Sequence, residues 1–164
     1  METSSVRVLV VDDYEPFRRF ICSTLRRRPE LQIVGEASDG LEAVQKAEEL
    51  QPDLIVLDIG LPSLNGFEAA QRIRKLSPES KIIFVSQESS ADVVQEAFRL
   101  GAQGYVVKIG AGSELLTAVD AVLRGRRFVS AKLLEHVPPE LSDTQTTRRL
   151  YAADEVATTA NRGD

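Results

Sequence analysis

Reactive polar side chains stand directly after several of the short apolar runs in this sequence. Asp12 and Asp13 follow the first run, and Asp58 follows the third. Ser86 and Lys108 follow the fourth and fifth runs. If the three carboxylates are brought together they repel one another, and the pKa of one rises unless a cation offsets the charge. Mg²⁺ suits such a site because it binds one or two carboxylates together with waters and phosphate oxygens.

Ser86 and Lys108 would add a hydroxyl and a positive charge beside Asp58. These groups suit a phosphoryl group carried on an aspartate, whose negative charge the metal, lysine and hydroxyl would meet together. Taken singly, Asp12 could cap the first helix, Ser86 could cap the fourth helix, and Lys108 could be a solvated surface lysine. All five residues follow strand ends, and this common location favours one shared site. The residues are Asp12, Asp13, Asp58, Ser86 and Lys108.

The elements that would position these residues alternate along the chain. Near-continuous apolar runs, typical of parallel strands buried on both faces, occupy residues 6–11, 31–34, 54–57, 81–85 and 104–107. Between and after them, apolar residues recur at helical spacing and predict five helices. Pro16 is placed to open the first helix, and Ser113 is the candidate N-cap of the fifth.

Alternation of strand and helix, repeated five times, predicts right-handed crossovers and an open, doubly wound α/β fold. A five-stranded parallel sheet of this kind commonly has the order 2-1-3-4-5, with its ligand crevice beyond the carboxyl ends of strands 1 and 3. The polar residues lie one or two strand–helix units apart, so all of them fall at that edge of the sheet. The predicted fold therefore brings the candidate site residues together at one edge of the sheet.

Charge and composition exclude several classes of protein. The chain of 164 residues has a net charge of −5, which argues against a general binder of nucleic acid or anionic membranes. The single cysteine, Cys22, cannot form an internal disulfide, as expected in a reducing compartment. No apolar run approaches the ~18 residues needed to span a bilayer. We expect a soluble, cytoplasmic protein that binds neither DNA nor membranes.

The regular pattern fails after Leu134. We expect one domain over residues 1–135, ending in a short helix near 131–134, and a mobile tail over 136–164. A docking helix over 148–157 is the alternative for the tail. The tail has three arginines against five acidic residues and no amphipathic helices of the length that a helix-turn-helix module needs. The sequence therefore predicts no DNA-binding output domain.

The chain resembles the receiver domain of two-component response regulators over about residues 5–130. The segments that carry the resemblance are Val-Leu-Val-Val-Asp-Asp at 8–13, Pro-Asp-Leu-Ile-Val-Leu-Asp at 52–58, Gly-Leu-Pro at 60–62, Asn-Gly at 65–66, Ile-Phe-Val-Ser at 83–86 and Gly-Ala-Gln-Gly-Tyr-Val-Val-Lys at 101–108. Ile109 follows the lysine where many receivers have proline. In this respect the chain is similar to the NarL/FixJ type, whose receivers usually precede a helix-turn-helix domain.

The resemblance implies a role for each acidic residue. Asp58 would accept a phosphoryl group from a histidine of a sensor kinase or a phosphotransfer protein. Asp13, the Asp58 carboxylate and the backbone carbonyl of Gly60 would bind Mg²⁺, and Asp12 would act partly through water.

The resemblance also implies how phosphate changes the protein. Lys108 would pair with the phosphoryl group, and Ser86 and Tyr105 would form a switch pair in which the hydroxyl turns toward phosphate and the ring follows inward. Gln87, where the family often has a small residue, and Glu88 would alter phosphoryl lifetime in a direction that stays open. Output would pass to an unknown downstream protein through the face of helix 4, strand 5 and helix 5, or through a phosphorylation-dependent dimer.

Several other functions compete with a stand-alone phosphoacceptor. A phosphorylation-independent scaffold or a phosphate sink would use the same fold, and partner binding unchanged by Asp58→Asn would indicate the scaffold. A haloacid-dehalogenase-type phosphatase needs a second aspartate where this chain has Gly60. A flavodoxin needs a phosphate loop where this chain has the acidic segment 12–15. We therefore expect a phosphoacceptor and not an enzyme.

Overall fold

Six parallel strands form one sheet in the computed structural model, which describes residues 5–136 of the chain. The strands are β1 (Val6–Val11), β2 (Leu31–Ala37), β3 (Leu54–Leu57), β4 (Lys81–Ser86), β5 (Gly104–Val107) and β6 (Phe128–Val129). Their order in the sheet is β2-β1-β3-β4-β5-β6. The predicted order of the first five strands is confirmed, and each of them begins at the first residue of a predicted apolar run.

The sixth strand is an addition that the sequence analysis did not predict. Phe128 and Val129 pair with Gly104 and Tyr105 of β5, and both are fully buried. Two residues are too few to show either a period or an apolar run, so no sequence pattern marks them. Because β6 pairs with β5, the face expected from helix 4, strand 5 and helix 5 also includes β6.

Five helices connect and cover the strands: α1 (Glu15–Leu25), α2 (Gly40–Leu50), α3 (Gly66–Leu76), α4 (Ala91–Arg99) and α5 (Ala111–Leu123). Three of them begin at a polar residue whose side chain accepts a hydrogen bond from the backbone N–H three residues later. These caps are Asp39 for α2, Asn65 for α3 and Ser90 for α4.

Of the two predicted helix starts, that of the first helix is confirmed and that of the fifth is wrong. Pro16 lies in the first turn of α1, as predicted. The prediction of Ser113 as the cap of α5 is wrong, because a 3₁₀ turn over Lys108–Gly110 leads directly into a helix that begins at Ala111. The Ser113 hydroxyl instead donates to the carbonyl oxygen of Gly110 at 3.2 Å.

The sheet separates two apolar cores, because successive side chains of a strand point to opposite faces. The first core, beneath α2, α3 and α4, contains Leu9 and Phe84. The second core, beneath α1 and α5, contains Val8 and Val10. Cys22 is buried in the second core, and burial chiefly raises the pKa of its thiol, as expected of a structural cysteine.

The register of the strands brings their carboxyl ends to one edge of the sheet. Val11, the last residue of β1, pairs with Leu57, the last residue of β3. Ser86 at the end of β4 pairs with Val107 at the end of β5. The residues that follow these pairs therefore share the edge where the sequence predicts a site.

A 3₁₀ helix over Ala131–His136 follows β6. It matches the short helix predicted near 131–134, and Leu133 is buried in the first core. The predicted tail, with its possible docking helix over 148–157, lies outside the described residues, apart from His136 at the end of this 3₁₀ helix. Within 5–136, none of the helices is long and apolar enough to cross a membrane.

Candidate functional site

Asp12 and Asp58 lie at the carboxyl edge of the sheet and share one ammonium group. Only 3% of Asp12 and 7% of Asp58 is exposed. The Nζ atom of Lys108, directly after β5, lies 2.8 Å from Oδ2 of Asp12 and 3.1 Å from Oδ2 of Asp58. One cation therefore bridges two buried carboxylates.

Burial and charge act against each other on these groups. Burial is the largest influence on Asp58 and raises its pKa. The ammonium of Lys108 lowers that pKa and the carboxylate of Asp12 raises it further, so the pKa of Asp58 is raised overall. Burial alone would lower the pKa of Lys108, but the two carboxylates outweigh it and the pKa of the lysine is raised. The lysine is therefore held in its charged form, whereas the charge on Asp58 is incompletely offset.

The plainer interpretations of these residues are wrong. Tyr14 is the N-cap residue of α1, and Asp12 does not cap that helix; its Oδ1 accepts a hydrogen bond from the Tyr14 N–H at 2.8 Å. The cap of α4 is Ser90 and not Ser86, which lies four residues earlier at the end of β4. The side chain of Lys108 is only 14% exposed. Asp12 contacts Lys108, and Ser86 lines one cavity together with Asp58 and Lys108.

The acidic residues fit a hard divalent cation. Carboxylate oxygens of Asp12, Asp13 and Asp58 lie within 4.8 Å of one another, with Asp13 exposed at the mouth of the site. Lys108 supplies one positive charge for these three carboxylates. Gly60, two residues after Asp58, is exposed and lines a cavity together with Asp58 and Lys108. Oxygen donors of this kind and number fit Mg²⁺.

Ser86 and Tyr105 meet at the loop that follows β4. The Glu88 N–H donates to Oγ of Ser86 at 3.1 Å, and the Tyr105 hydroxyl donates to the Glu88 carbonyl oxygen at 2.7 Å. The ring of Tyr105 is fully buried, 6.4 Å from the ring of Phe84 between centroids. Burial chiefly raises the pKa of Tyr105, so the hydroxyl stays protonated and acts as a donor. The ring of Tyr105 is therefore held inside the protein by its packing and by the hydrogen bond to Glu88.

An open cavity of about 300 Å³ adjoins the Asp58 carboxylate. Its lining combines polar groups of the site with apolar side chains from the first core. The lining residues are Asp58, Ile59, Gly60, Phe67, Ser86, Gln87, Glu88, Val93 and Lys108. Gln87 and Glu88, which the sequence analysis placed beside the site, therefore line the approach to Asp58.

A family model described as the response regulator receiver domain matches residues 8–120. The chain belongs to this family. The match includes Asp12, Asp13, Asp58, Ser86 and Lys108, which the fold brings to one edge of the sheet.

Curated relatives of this receiver domain include response regulators of the NarL/LuxR type. The chain is 34% identical over 133 residues to "Response regulator GacA" of Pseudomonas viridiflava, covering 80% of this chain and 62% of the relative. It is 31% identical over 140 residues to "Nitrate/nitrite response regulator protein NarL" of Escherichia coli K12, covering 85% of this chain and 65% of the relative. The chain thus spans less than two thirds of the length of these relatives.

Solved structures of receiver domains share the fold. A LuxR-family response regulator from Aurantimonas superposes with a TM-score of 0.77 at 34% identity, covering 81% of this chain and 95% of that one. The signal receiver domain of the putative response regulator NarL from Mycobacterium tuberculosis gives 0.72 at 29% identity, covering 76% and 100%.

One residue of the receiver site was not identified as such from the sequence. Phe17 of α1 was assigned to the apolar stripe of its helix, and it does pack against the second core. Its ring also faces the site, with Nζ of Lys108 at 4.6 Å from the ring centroid. An aromatic residue one helical turn after the aspartate pair could have indicated this contact. The indication depends on knowing where α1 lies relative to the end of β5.

Proposed function

We propose that this receiver domain accepts a phosphoryl group on Asp58 from a phosphohistidine of a sensor kinase or phosphotransfer protein, in a reaction that requires Mg²⁺. The setting of the Asp58 carboxylate carries the proposal. This carboxylate is 7% exposed, adjoins an open cavity, and has the Lys108 ammonium 3.1 Å from its Oδ2. Membership of the receiver family supports the same role.

In the reaction, an Asp58 oxygen forms a bond to phosphorus while the bond from phosphorus to the donor imidazole breaks. The electron pair of that bond stays on the nitrogen of the donor imidazole, and the proton on the other ring nitrogen makes the leaving imidazole neutral. Lys108 donates to a phosphoryl oxygen, since its ammonium already lies beside the acceptor. Ser86, which lines the same cavity, provides a hydroxyl donor once its Oγ turns from the Glu88 N–H.

Asp12, Asp13, Asp58 and the carbonyl oxygen of Gly60 would hold Mg²⁺. Bound there, the ion supplies positive charge that offsets the carboxylates and the oxygens of the incoming phosphoryl group. The carboxylates of Asp12, Asp13 and Asp58, which lie within 4.8 Å of one another, support this assignment.

Exposed apolar side chains beside the acceptor support a protein as the phosphodonor. Tyr14, at the start of α1, is 63% exposed, and Ile109, directly after Lys108, is 79% exposed. Exposed side chains that flank a reactive site can supply contact area to a protein partner, and tyrosine is enriched at such interfaces. We assign them to the donor protein, whose histidine must come within bonding distance of Asp58.

Phosphorylation then changes contacts at the loop after β4. A phosphoryl group adds about −1.5 to −2 charge and three acceptor oxygens. If the Ser86 hydroxyl turns away from Glu88 to donate to those oxygens, the Glu88 N–H loses its acceptor, and the Tyr105 hydroxyl is bound to the same residue. We therefore propose α4, β5, α5 and the adjoining β6 as the surface that presents the change to a downstream protein or to a second copy of the chain.

The test is formation of a covalent phosphate adduct. The protein is incubated with acetyl phosphate and MgCl₂, and intact mass and release of inorganic phosphate are followed. We expect an adduct in the wild-type chain and in the control variant Asp92→Asn, which replaces an exposed aspartate of α4. We expect none in Asp58→Asn. An adduct of equal yield in Asp58→Asn, or no adduct in the wild-type chain, contradicts the proposal.

The same variant separates a phosphorylation switch from the scaffold alternative. Proteins captured by the wild-type chain with beryllofluoride and Mg²⁺ are compared with those captured by Asp58→Asn under the same conditions. A partner bound equally by both supports the scaffold, whereas a partner bound only by the loaded wild-type chain supports the switch.

A further inference from the structure

The ammonium of Lys108 contacts an aromatic ring as well as two carboxylates. Its Nζ lies 4.6 Å from the centroid of the Phe17 ring, within the range of a cation–π interaction. Oδ2 of Asp12 and Oδ2 of Asp58 lie at 2.8 and 3.1 Å. The position of the ammonium is therefore fixed from the side of α1 and from the ends of β1 and β3.

The ring contact differs in kind from the two ion pairs. A lysine side chain has four flexible carbons, and fixing its ammonium costs rotamer entropy that its contacts must offset. Asp12 and Asp58 would also have to serve a metal ion or a phosphoryl group, so their contacts with Lys108 change during the proposed reaction. The face of Phe17 ligates no metal and carries no phosphate, so its contact can persist throughout.

We propose that Phe17 is a positioning residue, whose ring face holds the Lys108 ammonium over the Asp58 carboxylate for phosphoryl transfer. The inference rests on the proposed function, because it assigns Phe17 a part in the same reaction. If Phe17 acts in this way, the reaction depends on an aromatic face at position 17 and not merely on an apolar side chain.

Packing alone is the competing explanation for Phe17. The side chain packs against the second core, and its ring lies 5.5 Å from that of Phe20 between centroids. Leucine at position 17 would keep much of this apolar contact but would present no ring to the ammonium. Tyrosine would keep both. Phe17→Leu and Phe17→Tyr therefore separate the two explanations.

The experiment measures the initial rate of adduct formation from acetyl phosphate with saturating MgCl₂. We expect Phe17→Leu to lower the rate about 3- to 10-fold, the effect of losing one partly buried cation–π contact from the transition state. We expect Phe17→Tyr to stay within about 2-fold of wild type, since a ring of the same kind is retained. In a Lys108→Gln background, Phe17→Leu should cause no further loss, because the group that the ring positions is gone.

A second measurement uses no metal and no phosphodonor. Thermal midpoints are compared for wild type, Phe17→Leu, Lys108→Gln and the double variant in the presence of a chelator. If ring and ammonium interact, the loss in the double variant is smaller than the summed single losses by about 2 °C or more. Additive losses contradict the contact.

The outcomes distinguish this inference from the proposed function. No adduct in the wild-type chain overturns both. An Asp58-dependent adduct that forms equally fast in Phe17→Leu overturns the inference alone. Equal losses in Phe17→Leu and Phe17→Tyr, or a further loss in the Lys108→Gln background, show that Phe17 acts by packing and also overturn it.

Discussion

The hydroxyl of Tyr105 donates a hydrogen bond to the backbone carbonyl oxygen of Glu88 at 2.7 Å. The N–H of the same glutamate donates to Oγ of Ser86 at 3.1 Å. One loop residue thus receives a bond from β5 and gives one to the end of β4. Ser86 and Tyr105 are therefore joined through the backbone of Glu88, in addition to the direct interaction of their side chains.

Tyr105→Phe tests how much this bond contributes. Removing one neutral hydrogen bond should lower the free energy of unfolding by about 1 kcal/mol. The backbone amides of residues 86–90 should exchange faster with deuterium, whereas the yield of phosphate adduct on Asp58 should be retained. Tyr14→Phe is the matched control, because Tyr14 is 63% exposed. It should change neither the free energy of unfolding nor the amide exchange of residues 86–90. Unchanged exchange in Tyr105→Phe would contradict a role for the bond in holding the loop.

Asp58→Asn should stabilise the metal-free protein in a pH-dependent manner. Burial chiefly raises the pKa of Asp58 above its ordinary value of 3.8, so the folded state holds this proton more tightly than the unfolded chain. Ionisation therefore costs folding free energy as pH rises through the folded-state pKa, and it costs nothing below the unfolded value. The variant should be more stable than wild type at about pH 7, and the difference should vanish near pH 3.

Urea unfolding at a series of pH values, with a chelator present, measures this difference. Asp92→Asn again serves as the control, since its carboxylate is exposed. A stability difference that grows as the pH falls would have the wrong sign and would show that Asp58 is stabilised, and not penalised, by its surroundings.

The placement of the site was predictable because it depends on topology more than on detail. Parallel strands bring their carboxyl ends to one edge, so Asp12, Asp58 and Lys108 could be placed together from the apolar runs that precede them. A lysine side chain is long enough to reach both carboxylates from that edge, and Nζ of Lys108 lies 2.8 and 3.1 Å from them.

Features that depend on few residues or on exact packing were not predictable. β6 has only Phe128 and Val129, too short a segment for any period. Ser113 has the right residue type for a cap, but a 3₁₀ turn leads into the helix and the N-cap is Gly110, three residues earlier. The contact between Phe17 and Lys108 joins an early helix to a late strand end, and no local pattern reports such a distance.

Gly66→Ala should damage both the fold and the site. A Cβ atom at Gly66 would lie 2.1 Å from the carbonyl oxygen of Asp58 and 2.7 Å from Cα of Ile59. Both are backbone atoms, so α3 or the loop after β3 must move, at a cost of about 3 kcal/mol. Because that loop begins at the acceptor, the rate of adduct formation on Asp58 should fall as well.

Gly112→Ala provides the matched control for the glycine test. Its Cβ would have the Phe20 ring at 3.4 Å as nearest neighbour, and alanine favours the helix by up to about 1 kcal/mol. Urea unfolding and the adduct assay are run on both variants. A Gly66→Ala protein as stable as wild type would contradict the close approach of Gly66 to the backbone of Asp58 and Ile59.

Truncation tests whether β6 and the following 3₁₀ helix belong to the receiver domain, as the expected boundary at residue 135 requires. Phe128 and Val129 are fully buried and Leu133 is 1% exposed. Burial of such side chains contributes about 1.5–3 kcal/mol each, a large share of the 5–15 kcal/mol by which domains are stable. The chain 1–136 should therefore unfold cooperatively, whereas 1–126 should unfold at a much lower temperature or without cooperativity.

Leu133→Ala in the whole chain separates the loss of buried side chains from the effects of a new terminus. Its expected cost is about 2–5 kcal/mol, because the leucine lies in the first core with Tyr105 and Val129. Lys132→Ala, at an exposed neighbouring position, should be close to neutral. If 1–126 proved as stable as 1–136, the segment would be an accessory to the domain. β5 would then be free to act as the edge strand of the output surface.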